Sequence, residues 1–192
     1  MNKVIAIDIG DVCLRRRLDL SLKAFGLDSD TLPQPVAFAI DKYERGKISL
    51  EEWIILMQKN LPGCIPDDEV CRGWNMMIGE AMPGMNEFVR EMVTAGFRFV
   101  FFSDTSELHF TDICRKLPFA NQITGAILSY EVGAKKPESG MYEAFENKYG
   151  IPCCYFDDMP QNIAAGQERG WFSIRFDNTE AMRQEFYSEF HI

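Results

Sequence analysis

Four consecutive apolar residues, Val4-Ile5-Ala6-Ile7, run up to Asp8 and Gly10 near the start of the chain. A short, largely β-branched run closed in this way predicts a strand buried on both faces, as in a parallel sheet. The strand pattern then lapses until about residue 97, and the intervening stretch reads as helices. Leu18 to Leu27 is amphipathic through Leu18, Leu20, Leu22 and Phe25. Pro33 to Arg45 is a second helix, with proline tolerated in its first turn and Gly46-Lys47 breaking it. Ser49-Leu50-Glu51-Glu52 has the spacing of a capping box and opens a third, carrying Trp53, Ile54, Leu56 and Met57. Asp67 to Ile78 is a fourth, with Val70, Trp74 and Met77 as its packing residues.

From Pro83-Gly84 onward the pattern alternates. Helices are expected at Met85–Thr94, Glu107–Lys116, Pro137–Tyr149, Gln161–Arg169 and Thr179–Phe190. Strands are expected at Phe97–Phe102, Ile123–Tyr130, Cys153–Phe156 and Trp171–Phe176. Gly170 should stop the helix before it, and Asp177 or Asn178 should cap the last one. Repeated strand–helix units imply an α/β fold, a Rossmann-like parallel sheet covered on both faces. The expected division is a core of residues 1–12 and 83–192 with a small helical cap, residues 13–82, inserted after the first strand.

Composition narrows the function classes. The chain has 192 residues, 46% of them hydrophobic, enough for one sizeable domain with a small insert. No apolar run approaches a membrane span, and the first strand begins without a signal-peptide pattern, so a cytoplasmic protein is expected. Twenty-nine acidic residues against 20 basic ones give a net charge of −9, which argues against a nucleic-acid partner. The six cysteines show no CxxC spacing and there are two histidines, His109 and His191, so neither a zinc site nor a Ser-His-Asp mechanism is supported. Reduced, mostly buried thiols are expected.

Chemistry enters at the strand ends. Asp8, Ser103, Lys136 and the pair Asp157-Asp158 each follow a strand or open the next helix, and in a parallel sheet such positions share one edge. Taken singly, each is ordinary: Ser103 as a turn residue, Lys136 as a surface charge beside Lys135, Asp157-Asp158 as a loop. Together their types suit phosphoryl transfer. A carboxylate can accept the phosphoryl group, a hydroxyl and backbone N–H groups can hold its oxygens, and a lysine can neutralise its charge. Mg²⁺ takes one or two carboxylates plus waters and substrate phosphate, a number that Asp8 and Asp158 supply.

The combination resembles the haloacid dehalogenase-like (HAD) hydrolase superfamily, specifically its phosphatases with a small helical cap. DIGDV at Asp8–Val12, FFSDT at Phe101–Thr105, Lys136 in VGAKKP and YFDDMPQN at Tyr155–Asn162 are similar to its four motifs, and YERGKISLEEW at Tyr43–Trp53 is similar to its cap segments. The likeness runs over nearly the whole chain and places it near sugar-phosphate phosphatases, including the α-D-glucose-1-phosphate phosphatase type. It implies a Mg²⁺-dependent phosphomonoesterase acting on a small phosphorylated metabolite through an aspartyl phosphate. Asp8 would be the nucleophile and Lys136 its partner. Ser103, the Asp104 N–H and Lys136 would bind phosphate. Asp8, the Gly10 carbonyl and Asp158 would hold the metal, supported by Asp157 and Asn162.

Two positions depart from the pattern. Most family phosphatases carry a second aspartate as proton donor where this chain has Gly10, although the sugar-phosphate phosphatase relatives share the glycine. Asp11 is the nearest carboxylate, but a shift of one residue should point it elsewhere. Asp104 stands where asparagine is common, and a carboxylate beside a phosphate is unfavourable unless turned away or protonated. Two alternatives follow: a metal-independent 2-haloacid dehalogenase, and a catalytically weak phosphate-binding or regulatory protein. The run Arg15-Arg16-Arg17 reads first as a solvated charge cluster, with contact to the substrate's distal group as the functional alternative. The cap would exclude water and select small substrates, and the assembly is either a monomer or a homodimer.

Overall fold

The computed structural model describes residues 3–27 and 31–192. In chain order the elements are β1 (Val4–Ile7), β2 (Leu14–Arg16), α1 (Leu18–Ala24), α2 (Gln34–Glu44), α3 (Leu50–Asn60), α4 (Asp67–Asn75), β3 (Ile78–Ala81) and α5 (Met85–Thr94). There follow β4 (Arg98–Ser103), α6 (Glu107–Lys116), β5 (Ile123–Leu128), α7 (Ser129–Val132), α8 (Ser139–Tyr149), β6 (Cys154–Asp157), α9 (Pro160–Glu168), β7 (Ser173–Arg175) and α10 (Thr179–Phe190).

Five strands form one parallel sheet in the order β5-β4-β1-β6-β7. Residues of β1 alternate between its faces, as the two-residue period of a strand requires. Val4 and Ala6 enter a cluster with Phe102, Tyr142, Phe145, Tyr155 and Trp171 under α8 and α9. Ile5 and Ile7 enter a second, with Phe88, Phe99, Phe156 and Phe186 under α5 and α10. Both faces of β1 are therefore fully buried, which is why its sequence reads as a continuous apolar run. The chain leaves β1 toward β4 on one side and returns to β6 on the other, so strand order reverses at β1. Ligands of open α/β sheets bind outside the strand C-termini at such a switch point.

Helices α1–α4 form an insertion with a core of its own, in which Tyr43 and Trp53 stack at 5.0 Å and Trp74 packs against Trp53 at 6.0 Å. The capping box is present: the Ser49 hydroxyl accepts from the Glu52 N–H at 3.2 Å, and the Glu52 carboxylate accepts from the Ser49 N–H at 2.8 Å. Ser49→Ala should cost about 1 kcal/mol of stability, read as a lowered denaturation midpoint with an unchanged m-value.

The structure corrects the all-helical reading of residues 13–82. Short strands β2 and β3 pair antiparallel, Leu14 opposite Ala81 and Arg16 opposite Ile78, where the insertion leaves and rejoins the sheet. The fourth helix accordingly ends at Asn75, and Ile78 begins a strand. The strand expected to reach Tyr130 stops at Leu128, because Ser129 opens a helical turn. The thiols are less buried than expected. All six are free, but Cys64 and Cys114 are exposed and Cys71 and Cys153 half-buried, leaving Cys13 and Cys154 in the core. No helix among the described residues is long and apolar enough to cross a membrane.

Candidate active site

Register brings the strand ends together. Ile7 lies opposite Phe101 of β4 and Phe156 of β6, so Asp8, Ser103 and Asp157 emerge along one edge. Asp8 is anchored by its backbone N–H, which donates to the Phe156 carbonyl at 2.9 Å, and by its own carbonyl, which accepts from the Cys13 thiol at 3.1 Å. Lys136 reaches the edge from the loop between α7 and α8. Its ammonium lies 3.0 Å from Asp8 Oδ1 and 2.5 Å from Asp157 Oδ2, and donates to the Phe102 carbonyl at 2.9 Å. All three side chains are buried.

Burial and charge set the protonation states. Burial works against the Lys136 ammonium, but the carboxylates of Asp157 and Asp8 outweigh it and hold the group above the usual lysine range. Burial pushes Asp8 up to about 6, with Lys136 pulling it down, Asp157 adding to the rise and the Ser103 hydroxyl bond opposing it. Burial also pushes Asp158 up to about 6, helped by the charges of Asp8 and Asp157 and opposed by Arg16.

The three carboxylates Asp8, Asp157 and Asp158 place oxygens within 4.8 Å of one another. Asp157 is already satisfied. Its Oδ2 accepts from Lys136 and from the Tyr155 hydroxyl at 2.6 Å, and its Oδ1 accepts from the Met159 N–H and Asn162 Nδ2, each at 2.9 Å. Asn162 is held in turn by Tyr142, whose hydroxyl donates to its carbonyl at 2.8 Å. The carboxylates with capacity left for a cation are thus Asp8 and Asp158, a donor set that suits a hard divalent ion.

Asp104 does not face the space above Asp8 as a bare anion. Its Oδ1 accepts from the Lys136 backbone N–H at 3.0 Å, so the carboxylate positions the loop that carries the lysine. Burial raises its pKa, opposed by the Lys136 and Lys135 cations. Asp11 is likewise turned aside, binding Arg16 through both oxygens at 2.9 and 2.6 Å.

Sequence reasoning missed several contributors. Tyr155 and Tyr142 look like core aromatics, yet their hydroxyls fix Asp157 and Asn162. Glu44 of the insertion pairs with Lys135 at 2.6 Å, and Arg45 forks onto Glu138 at 2.7 and 2.9 Å, tying the insertion to the Lys136 loop. His109 stacks on Trp74 at 4.6 Å, joining α6 to α4. Between insertion and sheet edge lies a cavity of 260 Å³ bordered by Gly10, Arg16, Ser103 and Lys136, with Met77 and Ile113 as apolar walls.

No family model matches the chain. Its fold is that of HAD hydrolases. A HAD family enzyme from Bacteroides thetaiotaomicron superposes with a TM-score of 0.85 over 96% of this chain and 98% of its own, at 18% identity. The same enzyme in complex with magnesium and inorganic phosphate matches with a TM-score of 0.79 at 17% identity, covering 92% and 95% of the two chains. A predicted HAD-like family hydrolase from Porphyromonas gingivalis matches at 0.76 and 18% identity, covering 97% and 98%.

Proposed function

We propose that the chain is a Mg²⁺-dependent phosphomonoesterase acting on a small phosphorylated metabolite, with a sugar phosphate of the glucose-1-phosphate kind as the leading candidate. The observation that carries this reading is the pairing of Asp8 with Lys136 beside Asp158, with Asp157 held out of competition for the cation. Asp8, the Gly10 carbonyl and Asp158 would hold the ion. When bound, Mg²⁺ supplies positive charge that offsets the phosphoryl oxygens and the crowded carboxylates. Complexes of the Bacteroides enzyme with magnesium and phosphate support the assignment.

The chain's own groups account for the rest. The Asp8 carboxylate attacks phosphorus and the ester oxygen departs with the bonding pair, in line and on the far side. The Ser103 hydroxyl, the Asp104 N–H and Lys136 bind the phosphoryl oxygens. Water then attacks phosphorus, the Asp8 carboxylate leaves, and the proton passes to solvent. A dehalogenase would need no cation, leaving the Asp8–Asp158 pair without a task. A binding protein without turnover was suggested partly by Asp104, and that carboxylate faces the Lys136 backbone instead.

The cavity of 260 Å³ suits a small metabolite. Phosphate release from a panel of sugar phosphates and a folded phosphoprotein tests this. Turnover should be confined to the small esters, and robust dephosphorylation of the protein would contradict the reading.

A pH-dependent metal effect is expected too. Asp8 and Asp158 bind protons more tightly folded, at about 6, than at their ordinary 3.8. Their contribution to stability is therefore greatest below about pH 4 and falls as pH rises through 6. Because cation binding displaces those protons, Mg²⁺ should raise Tm by several degrees at about pH 7.5 and by much less at about pH 5. Thermal melts with Mg²⁺ or chelator measure it, and Asp158→Asn should remove most of the difference.

A further inference from the structure

Gly10 leaves the site without a carboxylic acid above the phosphoryl position, and the structure shows what fills that space. A Cβ on residue 10 would lie 3.0 Å from Arg16 Cδ and 3.3 Å from Arg16 Nε. The guanidinium stem therefore runs where a side chain at position 10 would project. Arg16 borders the same cavity as Ser103 and Lys136, and its Nη2 lies 3.7 Å from Asp158 Oδ2. Its neighbours in the arginine run turn elsewhere: Arg15 to Glu80 at 3.6 Å and Arg17 to Asp19 at 2.8 Å.

Asp11 fixes the orientation from the turn that follows Gly10. Asp11 sits at φ 55°, in the left-handed region that aspartate enters more readily than most non-glycine residues. From there its Oδ1 accepts the Arg16 N–H at 2.9 Å and its Oδ2 accepts Arg16 Nε at 2.6 Å. The second carboxylate of the DIGDV stretch thus acts as a positioning residue for the guanidinium.

We infer that Arg16, held by Asp11, takes the place over the departing ester oxygen that an acid at position 10 would otherwise occupy, and that turnover accordingly falls as the leaving oxygen becomes more basic, an anomeric sugar oxygen departing more readily than a simple alkyl one. The inference rests on the phosphomonoesterase reading. In-line attack from Asp8 on the sheet edge sends the leaving oxygen away from β1, and Arg16 borders the cavity beyond that edge. The new Asp8–phosphorus bond forms as the phosphorus–oxygen ester bond breaks. The electron pair goes to the ester oxygen, whose charge the guanidinium meets by hydrogen bonding. Arginine stays protonated throughout, so the leaving anion takes its proton from solvent water.

A leaving-group series with Mg²⁺ separates the outcomes: 4-nitrophenyl, phenyl and a simple alkyl phosphate, with wild type, Arg16→Gln, Arg16→Lys and Asp11→Asn. Wild type should fall steeply along the series. Arg16→Gln should lose a few-fold on the nitrophenyl ester and about 10²-fold on the phenyl ester, the scale of one lost donor to a developing oxyanion. Asp11→Asn should show a smaller loss of the same pattern, and Arg16→Lys should recover part of it. Inorganic phosphate, titrated calorimetrically with Mg²⁺ present, should bind wild type and Arg16→Gln with affinities within about threefold, less than 1 kcal/mol.

Equal loss on all three esters, no loss, or a fall in phosphate affinity beyond about threefold would overturn the inference and leave the phosphatase reading standing. Absence of turnover by the folded wild type on every ester would overturn both.

Discussion

Asp8→Asn is expected to reduce phosphate release by roughly 10⁴-fold or more, the scale seen when a covalent nucleophile is removed. The amide keeps the shape of the side chain at the end of β1 but loses the charge that attacks phosphorus and pairs with Lys136 at 3.0 Å. The fold should survive, because the backbone bond from Asp8 to Phe156 and the neighbouring strand pairings do not involve the carboxylate. Steady-state kinetics on an activated aryl phosphate measure the effect, with near-ultraviolet circular dichroism as the folding control. Retention of more than about one per cent of activity would move the nucleophile to another group.

Lys136→Met should be the most destabilising single change in the site. The ammonium is the cation between two buried carboxylates, 3.0 Å from Asp8 and 2.5 Å from a fully buried Asp157. Removing it leaves Asp157 bonded to the Tyr155, Met159 and Asn162 donors but with no opposing charge. Breaking a buried pair from one side costs about 3–5 kcal/mol, which for a chain of this size lowers Tm by about 10 °C. Mg²⁺ should recover part of the loss by supplying positive charge beside Asp8. A metal-free melting shift of less than about 2 °C would mean that the lysine is not balancing those carboxylates.

The parts that sequence made legible are those that one residue type and one period determine. Val4–Ile7 is buried on both faces and therefore reads as uniformly apolar, and Asp8 and the Asp157-Asp158 pair stand out because each directly follows such an apolar run. The β2–β3 pair was not legible. Leu14-Arg15-Arg16 and Ile78–Ala81 are three or four residues long, carry charge and glycine, and show no run long enough to establish a period. The strand end at Leu128 was missed because Ser129 is recruited by distant partners, its hydroxyl accepting from the Thr105 N–H and donating to the Glu44 carbonyl.

Orientation is the other missing quantity. Asp104 reads as an unwelcome anion beside a phosphate until its bond to the Lys136 N–H is seen. Arg16 reads as one of three solvated arginines until Asp11 is found holding it beside Gly10. Tyr155 satisfies a core-strand pattern, and the pattern says nothing of its hydroxyl reaching Asp157. Each case depends on which way a side chain turns after the backbone is set, which hydrophobic periodicity does not encode.

The central claim is that phosphoryl transfer passes through Asp8. Its most direct test is to quench the wild-type protein in acid during turnover of an aryl phosphate with Mg²⁺ and to weigh its peptides. The account predicts that the peptide containing Asp8 is heavier by one phosphoryl group, and that chelator or Asp8→Asn abolishes the addition. Rapid Mg²⁺-dependent hydrolysis with the phosphoryl group found on a different residue would contradict it.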